Sequence, residues 1–488
     1  MSGPASAEAP AIVWFRRDLR LADNPALRAA AESGRALVPL FILDEETPGL
    51  RGLGGAARWW LHHALAALDG ALGDRGARLL LKRGAAAEVL PAVVEETGAT
   101  AVYWNRCYEP AAVACDRCLK AELRAAGLAV ESFNAGLLFE PWTVTTKAGD
   151  PFKVFTPFWR ACRAGPAPAA PKPAPRSRRL AGPWTKGDRL DDWALLPRRP
   201  DWAAGFAEAW QPGEGGARRR LAAFLKHRLA AYATQRDRPD RDGTARLSAH
   251  LHWGEIGPRQ VWHAVQHRVA DSPGRGLAES AEVFLSELGW REFSYHLLFH
   301  NPTLPEANAR GEFDAFPWRD DADALRAWRR GATGYPLVDA GMRQLWTAGW
   351  MHNRVRMIVA SFLTKHLLMH WRAGEAWFWD TLVDADLASN VAGWQWVAGS
   401  GSDAAPYFRI FNPILQSRKF DPEGRYLRRW VPEIGRLSDD HLHCPWAAPQ
   451  EALDAAGVRL GETYPQPIVD HAAARERALA AYREMRAD

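Results

Sequence analysis

Hydrophobic positions along the first 135 residues fall into two alternating rhythms. Short runs rich in β-branched and large apolar residues predict five strands: "AIVWF" at 11–15, "ALVPLFIL" at 36–43, "ARLLLKR" at 77–83, "AVYWN" at 101–105 and "LAVESF" at 128–133. Between them, stretches such as "RWWLHHALAALDGAL" and "AAEVLPAVVEETG" carry the three-and-four spacing of amphipathic helices. This alternation predicts a parallel sheet with helices on both faces. The turn after the first strand, "RRDLRLADNP", is not a glycine-rich phosphate loop, which argues against ordinary dinucleotide binding there. Asn24 followed by Pro25 predicts a capped helix start.

The rhythm changes after residue 135. "GPAPAAPKPAPRSRRLAGP", residues 165–183, is rich in Pro and Ala and suits an extended connector, its "RSRR" a solvated charge run. The linker is placed at 136–205. From 206 to 488 the spacing is helical almost throughout, as in "GLAESAEVFLSELGWREFSYHLLFH" and "VRMIVASFLTKHLLMHW", predicting an all-α unit with no internal repeat. Within it "GWMHNRVRM", Gly349 to Met357, reads as the start of a helix running on through "IVASFLTKHLL", yet it carries a His, an Asn and two Arg beside core sequence.

Bulk composition narrows little. The 488 residues are 47% hydrophobic and 24% charged with a net charge of +5, an ordinary globular balance that permits a polyanionic partner without requiring one. The start "MSGPASAEAP" lacks a secretory pattern and no apolar run is long enough for a bilayer, so the expectation is a soluble intracellular protein with no membrane association. Five cysteines do not make a disulfide framework. Cys115 and Cys118 are spaced CxxC inside a helical pattern with no second pair, so they and Cys444 read as plain structural residues, and no metal site is expected. Tryptophan does stand out: there are 24, sixteen of them beyond residue 200. Such rings pack cores, and they also stack on bases and flavins.

Four stretches of the helical half carry a resemblance: "GTARLSAHLHWGEI" (243–256), "SELGWREF" (286–293), "TGYPLVDAGMRQLWTAGWMHNRVRM" (333–357) and "LVDADLASNVAGWQW" (382–396). Together with "IVWFRRDLRLADNPAL" near the start, and in the same order along nearly the whole chain, they resemble the photolyase and cryptochrome family. The resemblance implies an α/β Rossmann-like antenna domain with a five-stranded parallel sheet over 1–135, then an all-α FAD-binding catalytic domain over 206–488. It also implies light-dependent repair of cyclobutane pyrimidine dimers in DNA, a carbon–carbon lyase activity, by a bacterial cytoplasmic monomer that joins the nucleoid when bound to DNA.

Residue types alone leave several of these segments open. "GTARLS" is either a phosphate-receiving helix start or a simple capped loop, and any three of the tryptophans could be packing. The resemblance assigns FAD contacts to Tyr232, Thr244, Ala245, Arg246, Leu247, Ser248, Asp384, Ala385 and Asp386, with Arg356 paired to Asp384. It places Asn390 opposite the flavin N5, where plant cryptochromes carry Asp and animal cryptochromes Cys. Trp394, Trp371 and Trp318 match an electron-transfer line from flavin to surface. Glu287, Trp290, Trp396, Asn353 and Met357 match the substrate pocket, and a Glu287 carboxyl beside aromatic walls is expected to have a raised pKa and to donate its proton to a pyrimidine carbonyl. Members that repair the (6-4) photoproduct use two histidines where this chain has Asn353 and Met357. Arg236, Arg354 and Arg409 are expected at DNA phosphates. Glu109 matches an antenna contact, with methenyltetrahydrofolate, a deazaflavin or no antenna all open. On a continuous helix, Asn353 and Met357 would share a DNA-facing side with Trp350 and Arg354 nearby, while His352 and Arg356 turned inward. The rival functions are a cryptochrome-type blue-light receptor without repair and a flavin-binding module without photochemistry.

Overall fold

The computed structural model describes residues 9–176, 185–272 and 274–487. Five parallel strands, β1 (Ala11–Phe15), β2 (Leu37–Leu43), β3 (Leu80–Arg83), β4 (Ala101–Asn105) and β5 (Ala129–Phe133), form one sheet in the order β3-β2-β1-β4-β5. The helices α1 (Pro25–Glu32), α2 (Gly55–Gly73), α3 (Ala86–Thr97) and α4 (Pro110–Ala125) make the crossovers. The pleat sorts the side chains of β1: Ala11, Val13 and Phe15 join one core with α1 and α2, and Ile12 and Trp14 join the other with α3 and α4. Asn24 caps α1 as expected, its side-chain oxygen accepting the N–H of Leu27 at 3.0 Å with Pro25 in the first turn. β3 is shorter than the apolar run at 77–83. Leu79 donates its N–H to Asp69 (2.8 Å) and Ala77 donates to Leu72 (3.0 Å), which binds these residues to the end of α2 and not to the ladder.

The segment read as a linker is more built than an extended connector. It holds helix α5 (Phe155–Ala164), whose Phe155, Phe158 and Cys162 lie at the i, i+3, i+7 spacing of a buried stripe and enter the main helical core. Its proline-rich part is strapped down, with Asp23 donating its N–H to Lys172 (2.7 Å) and its carboxylate accepting from Lys172 (3.1 Å). Arg176 is exposed, and the rest of the "RSRR" run lies outside the described residues.

Beyond it the chain is helical. The core face of β1, β2 and α2 continues without interruption into Phe206, Trp210, Trp253, Trp350 and Val383, so the two halves share one apolar interior. Arg51, in the loop before α2, reaches across to pair with Glu375 at 2.6 Å. Among the described residues no helix is long and apolar enough to cross a membrane.

The long helix expected from Gly349 onward is divided. Gly349 closes the helix Pro336–Ala348 in the left-handed conformation (φ 62°), and Trp350–His352 form a link. The next helix starts only at Asn353, with His352 as its N-cap: the imidazole Nδ1 accepts the N–H of Arg354 at 3.2 Å. That acceptor role requires a neutral ring, and burial pushes the His352 pKa down to about 4. The helix ends at Ser361, a π turn follows at Phe362–His366, and Leu368 at φ 54° breaks the path before the helix Trp371–Thr381. The apolar periodicity had joined what backbone geometry separates.

Candidate active site

A cavity of about 580 Å³ opens in the helical half, and most of the expected site residues line it. One wall is the helix Arg275–His300, contributing Phe284, Glu287, Trp290 and Arg291. Opposite lie Thr244, Ala245, Arg246, Leu247 and Ser248, which lead into the short helix Ser248–His252. The first turn of Asn353–Ser361 enters from the side, and Asp384, Asp386 and the helix Leu387–Ala398 complete the floor. Ser389 and Gly393 are exposed although Ala388, Val391, Trp394 and Gln395 on the same helix are buried, so that helix presents an uncovered stripe to the cavity.

The polar floor is tightly organised. The guanidinium of Arg356 donates to both carboxylate oxygens of Asp384 (3.1 and 2.9 Å), the pairing expected, and its Nε donates to the carbonyl of Met351. Asp386 caps the helix Leu387–Ala398 through the N–H of Ser389 (2.9 Å) and also accepts from the Tyr295 hydroxyl. Arg17 donates to Nε2 of His252 (2.6 Å), which leaves Nδ1 to carry the proton donated to Asp386 at 3.1 Å. Burial alone would raise the Asp386 pKa. The hydrogen bonds from His252 and Tyr295 and the nearby Arg291 overcome it and hold the carboxyl well below the usual range, while burial and Arg17 keep His252 neutral. Arg246, at φ 49°, lays its guanidinium over the Trp350 ring (4.8 Å), with its Nε buried and lacking a hydrogen-bond partner. Tyr232 lines the cavity with its ring edge-on to Phe284. Ala385 is buried behind the floor and does not line it. Asn390 is likewise outside the lining residues, its amide donating to the side chain (2.8 Å) and carbonyl (3.1 Å) of Glu375.

This arrangement fits a dinucleotide of FAD's size and chemistry: a roomy pocket, a buried guanidinium nitrogen of Arg246 that makes no hydrogen bond and has Asp242 only at 3.6 Å, hydroxyls at Thr244 and Ser248, and an uncovered helix stripe for a flat ring.

Two expectations are corrected. Glu287 is not an isolated carboxyl between aromatic walls: Arg236 pairs with it at 2.6 Å, and its side chain is 31% exposed. The helix at Asn353 does not divide into a DNA face and an inward face. It meets the cavity end-on, so Asn353, Arg354, Arg356 and Met357 all border the same space, and Trp350 precedes the helix entirely. Arg409 does not join the lining residues and stands exposed on the loop that follows Gly401–Asp403. Arg354, by contrast, lies at the cavity over the Phe420 ring (4.8 Å).

Trp290 and Trp396 both line the cavity. Behind Trp290, Phe155 of α5 lies nearly parallel at a ring-centroid distance of 3.8 Å and 11°. The Phe155 N–H donates to Asp403 at 2.8 Å, itself a cavity residue. The sequence reading missed both, because Phe155 falls within the assigned linker. The apolar spacing of "FTPFWRACRA" was the available signal. Replacing Phe155 by Leu keeps the volume and removes the ring contact. Stability is expected to fall by about 0.5–1.5 kcal/mol, which thermal unfolding measures.

Of the three expected electron-transfer tryptophans, two lie in the core and one near the surface. Trp394 and Trp371 are buried, on adjacent packed helices, and Trp318 is partly exposed. His370 touches both outer rings, at 5.5 Å from Trp371 and 5.1 Å from Trp318. Glu109 precedes α4 at the carboxyl edge of the sheet, where Arg17 engages its carboxylate at 3.2 Å.

Comparison with known proteins covers both halves. The family description "DNA photolyase" matches residues 11–176, and "FAD binding domain of DNA photolyase" matches 284–484. The deoxyribodipyrimidine photo-lyase of Agrobacterium fabrum is 54% identical over 474 residues, 97% of this chain and 98% of that protein. Cryptochrome-1 of Arabidopsis thaliana is 42% identical over 95% of this chain and 69% of its own length. The crystal structure of a bacterial class III photolyase from Agrobacterium tumefaciens matches with a TM-score of 0.96 at 53% identity, covering 100% of both chains. A flavin-sized cavity beneath a parallel α/β domain, with similarity along its whole length, makes this chain a member of the photolyase and cryptochrome family that binds FAD in its helical half.

Proposed function

We propose that the protein acts as a deoxyribodipyrimidine photolyase, repairing cyclobutane pyrimidine dimers in DNA under light. The observation carrying this reading is the single cavity in which a dinucleotide-sized floor, two tryptophan walls and an arginine-bearing mouth meet. Whole-length similarity to a deoxyribodipyrimidine photo-lyase supports repair over light reception alone. Thr244 to Ser248, Tyr232, Arg356, Asp384 and Asp386 hold FAD, and Asn390, on the helix that faces the ring, is held by Glu375 on the side away from the cavity lining. When bound in reduced form and excited by light, FAD supplies the electron that splits the cyclobutane ring and receives it back.

The chain's own residues bind and orient. Trp290 and Trp396 give flat apolar surfaces to an extruded dimer, and their bulk excludes water from it. Asn353 presents a neutral amide and Met357 a polarisable thioether beside them. Arg236 and Arg354 at the mouth receive backbone phosphates, with Arg409 on the neighbouring loop. Trp394, Trp371 and Trp318 pass electrons inward from the surface to return the bound cofactor to its reduced form. Glu109 marks the side where an antenna would sit, with a folate, a deazaflavin or no chromophore as the alternatives. The enzyme works as a cytoplasmic monomer, nucleoid-associated while on DNA.

The test is repair of an oligonucleotide carrying one cyclobutane dimer by the reduced protein under blue light. Restoration of the two pyrimidines is expected, and no repair by protein with full flavin content would overturn the reading. Asn353→His with Met357→His is expected to abolish this repair while flavin absorbance persists; full activity in the double variant would count against the assigned pocket.

A further inference from the structure

The mouth of the cavity carries a chain of alternating charges, Arg354, Asp237, Arg236 and Glu287, whose carboxylate Asp237 the reading above does not use. Asp237, in the turn after Tyr232–Gln235, holds Arg354 with both oxygens, Oδ1 to Nε at 3.2 Å and Oδ2 to Nη2 at 2.7 Å. The same carboxylate lies 4.0 Å from Nε of Arg236, whose Nη1 pairs with Glu287 at 2.6 Å. Arg354 also rests on the Phe420 ring and points Nη1 toward the Met357 sulfur at 3.8 Å. Two guanidiniums therefore share two carboxylates, and the group is neutral as it stands. All four side chains are partly open to water, between 22% and 35% exposed, so the chain lies where a DNA strand can reach it.

A carboxylate bound bidentately to a guanidinium uses the donor fork that a phosphate would use. A phosphate can occupy Arg354 only by displacing Asp237. Asp237 also adds negative charge at the place where a polyanion must approach. We infer that Asp237 is a resident anion that occupies the DNA-binding fork of Arg354 and, with Glu287, shares Arg236 until a backbone phosphate replaces it, so that it lowers the protein's affinity for DNA. This rests on the proposal that Arg236 and Arg354 meet phosphates. Asp237 is thus a specificity-determining residue: weak charge attraction alone does not open the fork, and a strand held in place by an extruded dimer does. When phosphate takes Arg236, the Glu287 carboxyl is released to the cavity beside Trp290.

The experiment titrates FAD-loaded protein with undamaged and dimer-containing duplexes at fixed salt, comparing Asp237→Asn, Asp237→Glu, Arg354→Gln and Arg236→Gln. Asp237→Asn is expected to bind undamaged duplex about three- to tenfold more tightly, the scale set by one or two partly exposed ion pairs. Asp237→Glu, which keeps the charge, is expected to return affinity toward the parent value. Flavin absorbance checks that each variant is folded. Unchanged affinity in Asp237→Asn would overturn the inference, as would weaker binding, since a residue that merely orients Arg354 for DNA produces a loss. Should neither arginine variant lose affinity, the phosphate reading itself fails, whatever Asp237→Asn does.

Discussion

Replacing Asp386 by Ala is expected to destabilise the protein by about 3–5 kcal/mol and to strip it of FAD, because one change leaves several buried partners unsatisfied. The Tyr295 hydroxyl and the His252 Nδ1–H would both point at an empty position, and the helix Leu387–Ala398 would lose its N-cap, worth about 1 kcal/mol by itself. Thermal unfolding and the flavin absorbance of the purified variant measure the two effects. The parent protein should show a matching acid limb. A carboxyl held below its unfolded value stabilises the fold fully above about pH 4, and that contribution is lost as pH falls further toward the folded value. Asp386→Asn is expected to be less stable at neutral pH and to lose less on acidification below pH 4; an unchanged acid limb would show that another group dominates it.

Trp394→Phe carries the second large effect. Phenylalanine fills most of the space, but its ring is far harder to oxidise than indole, so light-driven reduction of bound FAD should slow by more than about tenfold, which needs only about 1.4 kcal/mol of added barrier. Repair by chemically pre-reduced protein should remain near the parent level. Gly374 supplies an independent arm. A methyl group there would collide with Cη2 of Trp394 and lie 2.6 Å from Leu363, so Gly374→Ala must push the indole aside without altering its chemistry. The same slowing of photoreduction in Gly374→Ala would tie the effect to ring position. Normal photoreduction in Trp394→Phe would remove it from the electron path.

Much of this was legible in the sequence wherever one physical signal dominated. The strands β1, β2 and β4 could be read because the centre of a parallel sheet is buried on both faces and so demands apolar runs, and the Asn24–Pro25 helix start depends only on neighbouring residues. The Arg356–Asp384 pair followed from the family resemblance and not from spacing. What escaped involved backbone turns and partners distant in sequence. Apolar side chains continue through Phe362–His366 although the hydrogen-bond ladder changes pitch there, so periodicity could not reveal the π turn. Glu287 looked like a carboxyl among aromatics because Arg236, 51 residues earlier, is invisible to local pattern. Phe155 was hidden by the prolines and alanines that follow it, which set the composition of the whole segment.

The shared interior of the two halves bears on how such proteins can be rearranged. Arg51 belongs to the sheet domain, yet it pairs with Glu375, which also accepts from Asn390 on the cavity helix; Trp253 and Val383 are packed in the same core as β1. An exchange of the first domain for that of a distant relative therefore trades more than a sheet and its helices. It removes a cation from the shell behind the floor of the cavity and recuts a common apolar seam, so a working chimera must carry residue 51 and the seam residues across the splice as one inherited block.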